Sequence, residues 1–346
     1  MKQIGLFSLT AIAFLGTPPA FGQCTITAPT AAAGASIIAP GALAVNPSGK
    51  LYIATGNCVL QFDPQTGMLT RVAGGATAGY SGDGGAASLA QFNAPGGLAS
   101  DTAGNLFIAD TGNHAVRKLT LDGNISTIAG TGLPGYSGDN GPAALAVFNG
   151  PQGLAADPFG TLYIADTNNN AVRKISASGV ITTYAGNGTA GYTYDGFFSR
   201  QSELNAPVGL AVSSGNLYIG DSANNRVRLV TAARLITTLA GTGTAGYSGD
   251  DGDGGQDEDA ELNAPTFLAS DRLGINIFIS DSANNCIRQV LPNTIITTIA
   301  GGTKGTMGKP AGIALDASGN LYLSDATNSR VLKLTAGSGL TTVVGK

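Results

Sequence analysis

The residues with the most chemical capacity in this chain recur instead of clustering. An aspartate, an asparagine three positions on and an arginine seven positions on repeat as Asp110/Asn113/Arg117, Asp166/Asn169/Arg173, Asp221/Asn224/Arg228 and Asp281/Asn284/Arg288. Asp and Asn at the start of a tight turn accept backbone N–H bonds, and an arginine on the following strand can pair with the carboxylate across that turn. The expected role is a structural turn ladder, because a ligand site has no reason to recur in every copy. A second recurring pair places Tyr and Asp three apart in glycine-rich stretches: Tyr80/Asp83, Tyr136/Asp139, Tyr192/Asp195 and Tyr247/Asp250. Tyrosine offers an apolar plane with a polar tip, and aspartate offers acceptors or metal-ligating oxygens. These eight residues are candidates for a loop face that binds a protein, peptide or glycan. The alternative is that Tyr packs the loop while Asp caps the short helix expected after it, as over Gly141–Ala146.

Other chemistry is limited by residue supply. His114 is the only histidine, which excludes any site built from two or more imidazoles. The acids Asp250, Asp251, Asp253 and Asp257 open a run of seven that ends at Glu261. They are candidate ligands for a Ca²⁺ ion, the one cofactor the sequence suggests and not a required one. EF-hand spacing fails there, since Gly255 stands at the third ligand position counted from Asp251. No Gly-Lys-Ser/Thr follows any glycine-rich run, so a phosphate loop is not expected.

Composition sets the class. Among 346 residues, charged types make up 12% and apolar types 43%, a balance that excludes a disordered chain. The 52 glycines show no three-residue period, which excludes collagen. The net charge of −4 and the scarcity of lysine argue against nucleic acid as a partner. Without the seven acids of the 250–261 stretch the rest of the chain is close to neutral, so the acidity is local.

The first 22 residues read as a signal peptide: Lys2, an apolar run from Ile4 to Leu15, then small residues around Ala20-Phe21-Gly22. That run is too short to span a bilayer, and no later segment is apolar enough to do so. A secreted or periplasmic location is expected. Three cysteines, Cys24, Cys58 and Cys286, follow this segment. In an oxidising compartment the preferred disulfide is Cys24–Cys58, which would staple the N-terminal arm 23–39 to the first structural unit and leave Cys286 as a buried small residue.

The elements that must position these residues come from an internal repeat. An opening of the Pro-x-Gly-Leu-Ala type recurs at Pro40, Pro95, Pro151, Pro207, Pro265 and Pro310. Each copy breaks into four short β-like runs separated by turns rich in Gly, Asn, Asp and Ser. In the third copy they are Gly153–Ala156, Leu162–Ala165, Val172–Ile175 and Val180–Tyr184. One four-stranded meander cannot bury both faces, but six arranged radially can. The prediction is an all-β, six-bladed propeller over residues 40–346. Four long inserts between copies are expected to emerge on one face, and Ala35–Ala39 looks strand-like.

The core of each copy, Leu-Tyr-Ile-Ala-Asp-(Ser/Thr)-x-Asn-(Asn/His)-x-(Val/Ile)-Arg, resembles the NHL repeat, and all six copies carry it. The first departs with Thr55 for the aspartate and Gln61 for the arginine, and the last has Leu332 at the arginine position. The long inserts resemble those of exported bacterial NHL-repeat proteins and of the teneurin NHL propeller. The resemblance implies extracellular recognition without catalysis. Related propellers that are enzymes supply the alternative, a divalent-metal-dependent lactonase, hydrolase or lyase. The histidine-held zinc of amidating lyases cannot be assembled from His114 alone. The early glutamate of gluconolactonase-like propellers is missing, since no Glu precedes Glu203. His114, where a virginiamycin-lyase-like base is sought, occupies a turn position held by Asn170 or Asn225 in other copies.

Overall fold

The computed structural model describes residues 24, 26–248, 255–256, 258–292, 295–302 and 307–346. The expected signal peptide and the acids Asp250, Asp251, Asp253 and Asp257 lie outside them. The protein is a six-bladed β-propeller: antiparallel four-stranded blades span residues 43–74, 95–129, 151–185, 207–240, 265–301 and 310–344. The third blade runs Pro151–Ala156, Leu162–Asp166, Ala171–Ile175 and Ile181–Ala185. No helix among the described residues is long and apolar enough to cross a membrane.

Period-two alternation on the innermost strands explains why the blades stack. Each inner strand sends a Leu or Ile to one neighbour and the next residue, an Ala, to the other. Ala44 meets Leu98, Ala99 meets Leu154, Ala155 meets Leu210, Ala211 meets Leu268 and Ala269 meets Ile313 in successive buried clusters. Ala314 of the last blade then meets Leu43 of the first, which closes the ring. Large against small lets the inner strands approach closely.

The glycine of the repeat opening permits that approach. A Cβ on Gly97 would lie 1.8 Å from the carbonyl oxygen of Gln152, on Gly153 1.9 Å from that of Val208, and on Gly209 2.0 Å from that of Thr266. Gly312 faces Gly41 across the ring closure in the same way, at 2.2 Å. In the first blade the position is Ala42, and in the fifth it is Phe267.

A disulfide joins Cys24 to Cys58, closing a sequence separation of 34 residues, while Cys286 is a buried thiol. Loop closure of that length contributes roughly 3–4 kcal/mol in the chain-entropy account. The arm's strand is Thr30–Ala31, paired with Leu69 and Met68 on the outer strand of the first blade, and not the Ala35–Ala39 stretch. Ala35 and Ile37 instead pack, with Ile26 and Ala32, into the cluster between first and last blades.

Candidate functional site

Each of the four Asp-x-x-Asn turns that precede a ladder arginine is a one-turn 3-10 element closed by a residue in the left-handed region, such as Asn170 at φ 50°. Asp166 has one carboxylate oxygen on the Asn149 N–H at 2.8 Å. Its other oxygen accepts from Asn169 at 2.9 Å and from the Arg173 guanidinium at 3.4 Å. Arg117 reaches Asp110 at 3.4 Å, while Arg228–Asp221 and Arg288–Asp281 are 3.8 Å apart, all with buried side chains. The ladder therefore fixes a turn, a strand and the entry to the blade at once.

The inserts do not stand off the fold. Each brings its tyrosine to the arginine of the next blade, and the first three bring their aspartate to it as well. Asp83 lies 2.6 Å from Arg117, Asp139 2.8 Å from Arg173 and Asp195 3.1 Å from Arg228. The arginines sit 4.8–5.2 Å from the ring centres of Tyr80, Tyr136, Tyr192 and Tyr247, close enough for cation–π attraction. The tyrosine hydroxyls in turn meet Thr127, Thr183, Thr238 and Thr298 on the outer strands. Asp139 caps no helix; the following segment is only the 3-10 turn Ala143–Leu145, without a side-chain cap. Asp250 lies outside the described residues. Tyr80 and Tyr136 remain 44% exposed, so part of each ring still faces solvent.

The same residues explain a regularity in the sequence. The four blades with an arginine at the ladder position are the four preceded by a Tyr-x-x-Asp insert. Gln61 and Leu332 stand in the two blades without one. Arginine and insert form one module.

Burial has an electrostatic consequence. Desolvation pushes the pKa of Asp110, Asp166, Asp221 and Asp281 up to about 6, against the lowering effect of their hydrogen bonds and arginines. A carboxyl with a higher pKa folded than unfolded holds its proton more tightly in the fold. Its stabilising contribution is thus full below pH 3.8 and is lost as pH rises through about 6. His114 acts oppositely: burial lowers its pKa from 6.5, so its contribution is lost as pH falls. Its Nδ1 accepts the Gly150 N–H at 3.0 Å, where Asn170 and Asn225 accept from Ala206 and Ala264 at the same distance. In a His114→Asn variant, which removes that opposing site, the urea midpoint should be higher at pH 5 than at pH 7. A lower midpoint at pH 5 would show that the four carboxyls are not raised.

Two further features were not legible as sites in the sequence. Phe267 packs against the cluster of its own blade and the sixth, and also against the cluster between the first and second blades. The fifth and second blades face each other across a ring of six, so this side chain crosses the central channel. The third insert differs from its sisters: Tyr194, Phe197 and Phe198 replace glycine, glycine and alanine of the first insert, and all three are exposed. Phe198 lines a pocket of 530 Å³ with Ser199, Arg200, Gln201, Ala233 and Arg234, while Tyr194 stands edge-on to Tyr192 at 5.7 Å between ring centres. Arg234 stacks 3.7 Å from the ring centre of Tyr184 and donates to the Tyr184 carbonyl at 3.0 Å. Aligning the inserts reveals the three aromatic replacements. Nothing local reveals the Arg234–Tyr184 contact, which joins two blades.

Among the described residues no group of three or more His, Cys, Asp or Glu is placed to hold a metal ion. The candidate acids Asp250, Asp251, Asp253 and Asp257 lie outside those residues.

The NHL repeat family matches at residues 92–119, 148–175 and 204–228, which are the ends of three inserts with the first three strands of the blades they enter. These three stretches are NHL repeats. It is 25% identical over 343 residues to NHL repeat-containing protein 2 of Gallus gallus, covering 85% of this chain and 46% of that one. Human Teneurin-1 is 29% identical over 230 residues, which is 59% of this chain and 8% of the relative. The chain thus spans less than half the length of these curated relatives.

Among solved structures, an auxiliary nutrient binding protein from Bacteroides ovatus superposes with TM-score 0.61 at 13% identity, covering 89% of this chain and 70% of that one. A gluconolactonase from Xanthomonas campestris superposes with TM-score 0.59 at 14% identity, covering 89% and 87%. At such identities these likenesses show the propeller fold alone, which hosts both binding proteins and enzymes.

Proposed function

We propose that this NHL-repeat propeller is an exported binding protein that recognises a protein, peptide or glycan through its insert surface and does not catalyse a reaction. The observation that carries this reading is the third insert. It holds three exposed aromatic side chains, one of which lines a pocket with two guanidiniums and an amide, on a rigid β framework. Exposed Tyr and Phe planes supply contact area at low entropic cost, and planar polar groups at their rim supply orientation. The partly open rings of Tyr80 and Tyr136, with Asp83, extend the surface to neighbouring blades. The Cys24–Cys58 disulfide and the apolar N-terminal run support an oxidising, extracytoplasmic setting.

Peptide and glycan arrays probed with the wild type and with a Tyr194→Ser/Phe198→Ser variant test it. Binding by the wild type that the variant loses, at unchanged Tm, is the expected result. Hits that the variant retains would remove the third insert from the site, and metal-dependent turnover of a lactone would replace binding by catalysis. A Ca²⁺ ion is not required; a Tm that rises with Ca²⁺ and falls with EDTA would assign one to the acidic stretch between Asp250 and Glu261.

A further inference from the structure

The outermost strand of a propeller blade is a sheet edge, with a row of N–H and C=O groups directed away from the blade. Five of the six edges are covered from within the chain. The first is paired by Thr30–Ala31 of the disulfide-tethered arm. On the second, the Gly84 N–H donates to the Ile125 carbonyl at 2.8 Å and the Ile125 N–H to the Gly85 carbonyl at 3.0 Å. Asn140 and Gly141 do the same for Ile181 on the third. Phe197–Phe198 pairs with the fourth and Gly255–Gln256 with the fifth.

On the sixth edge, Gly339–Val344, no described segment pairs with the outer side; the arm meets the chain only past its end, where the Gly345 N–H donates to the Ala32 carbonyl at 3.1 Å and the Gly34 N–H to the Gly345 carbonyl at 2.8 Å. The connection into this blade is much shorter than the one into the second. Eight residues separate Gly301 from Pro310, against twenty between Gly74 and Pro95, of which the tenth and eleventh cover the second edge.

The side chains agree. The residues that pair across the third and outer strands at this level are Phe62/Leu69, Leu119/Ile125, Ile175/Ile181, Val230/Ile236 and Val290/Ile296, and all ten are buried. In the sixth blade the equivalent pair, Leu334/Leu340, is only half-buried. Thr342 holds the register position of Thr127, Thr183, Thr238 and Thr298, each of which meets an insert tyrosine. Here it is exposed. The receiving half of the module is present without its insert and without the arginine.

We propose that the outer edge of the sixth blade is a strand-addition site for an extended polypeptide segment of another protein. The five intramolecular covers define its chemistry. It brings an N–H and a carbonyl to Leu340, a small residue over Leu334 and Leu340 in the place of Ala87 or Ala143, and a hydroxyl-bearing side chain within reach of Thr342. Main-chain pairing supplies affinity and the small-residue requirement supplies selectivity. A second copy is disfavoured as the occupant, because one six-residue edge against itself falls short of the about 1,000 Å² that a lasting interface buries. The proposal is independent of the third-insert surface, since it concerns the opposite end of the chain and different residues.

A synthetic peptide copying residues 80–92, which cover the second blade, is the probe. Hydrogen exchange by mass spectrometry is followed over the 339–344 stretch of the full chain. In the free protein these amides should exchange faster than the outer-strand stretch 124–129. Millimolar peptide should slow them on the order of tenfold, and Leu340→Pro, which removes the outward N–H at a position where an edge tolerates proline, should abolish the slowing. Slow exchange in the free protein would show that the chain already covers this edge. Slowing that grows with protein concentration alone would make a second copy the occupant. Absence of slowing at millimolar peptide would remove the site. Each of these three results overturns the proposal.

Discussion

Replacing Arg173 by alanine should destabilise the propeller by about 3–5 kcal/mol, the range for removing one partner of a buried ion pair. The side chain is fully buried and holds two carboxylates from different parts of the chain. Asp166 lies at 3.4 Å on its own blade, and Asp139 at 2.8 Å on the insert. It also donates to the Ser137 carbonyl at 3.0 Å and lies over Tyr136 and Phe148. Alanine strands Asp166 in an apolar setting and unpins the insert that covers the blade edge. The urea midpoint, converted with the m-value, reads the loss. The loss should shrink at pH 5, where the stranded Asp166 takes up a proton. A change below about 1 kcal/mol at pH 7 would mean that the pair contributes no more than an exposed one.

Gly153→Ala should be at least as damaging, by about 3 kcal/mol or with loss of folded protein. The added methyl would sit 1.9 Å from the Val208 carbonyl oxygen and 3.0 Å from the Gly209 Cα, both backbone atoms of the next inner strand. Overpacking ordinarily costs 1–3 kcal/mol because side chains yield; here the ring of inner strands has to expand. Gly179→Ala is the control. Its φ is +81° and nothing lies within 4 Å of the added atom, so it incurs only the roughly 1–2 kcal/mol of a left-handed alanine. If both variants melt alike, the close approach of the third and fourth blades is wrong.

The two substitutions probe different levels of the design. Arg173 joins an insert to a blade, and Gly153 joins a blade to its neighbour. Together with the Cys24–Cys58 tether, they describe how each element is held. The edge of the first blade is covered by a disulfide-anchored arm and those of the second to fifth by inserts packed on arginines, whereas the sixth meets the arm only at Gly345, past the end of its outer strand.

Much of the architecture was legible along the chain. Strand length, turn positions and the six-fold repeat follow from period-two alternation and from Gly, Asn and Asp at the reversals, which act over a few residues. The Asp-x-x-Asn turn and its arginine were likewise local, seven positions apart on adjacent strands. The alternative reading of Asp139 as a helix cap fails, because its partner is an arginine 34 residues away on the blade the insert enters. Sequence spacing carries no signal for such a meeting.

The sequence by itself determined the repeat, the blade and the closed ring, because turn chemistry and side-chain alternation are short-range and were written six times. Only the tertiary structure decided what the differences between copies mean. Phe267 crosses the channel, three aromatics of the third insert face solvent, and no described segment pairs with the edge at Leu340. Each outcome depends on which blades the radial arrangement sets opposite or adjacent. That geometry follows from all six copies packing together, and from no single stretch of the chain.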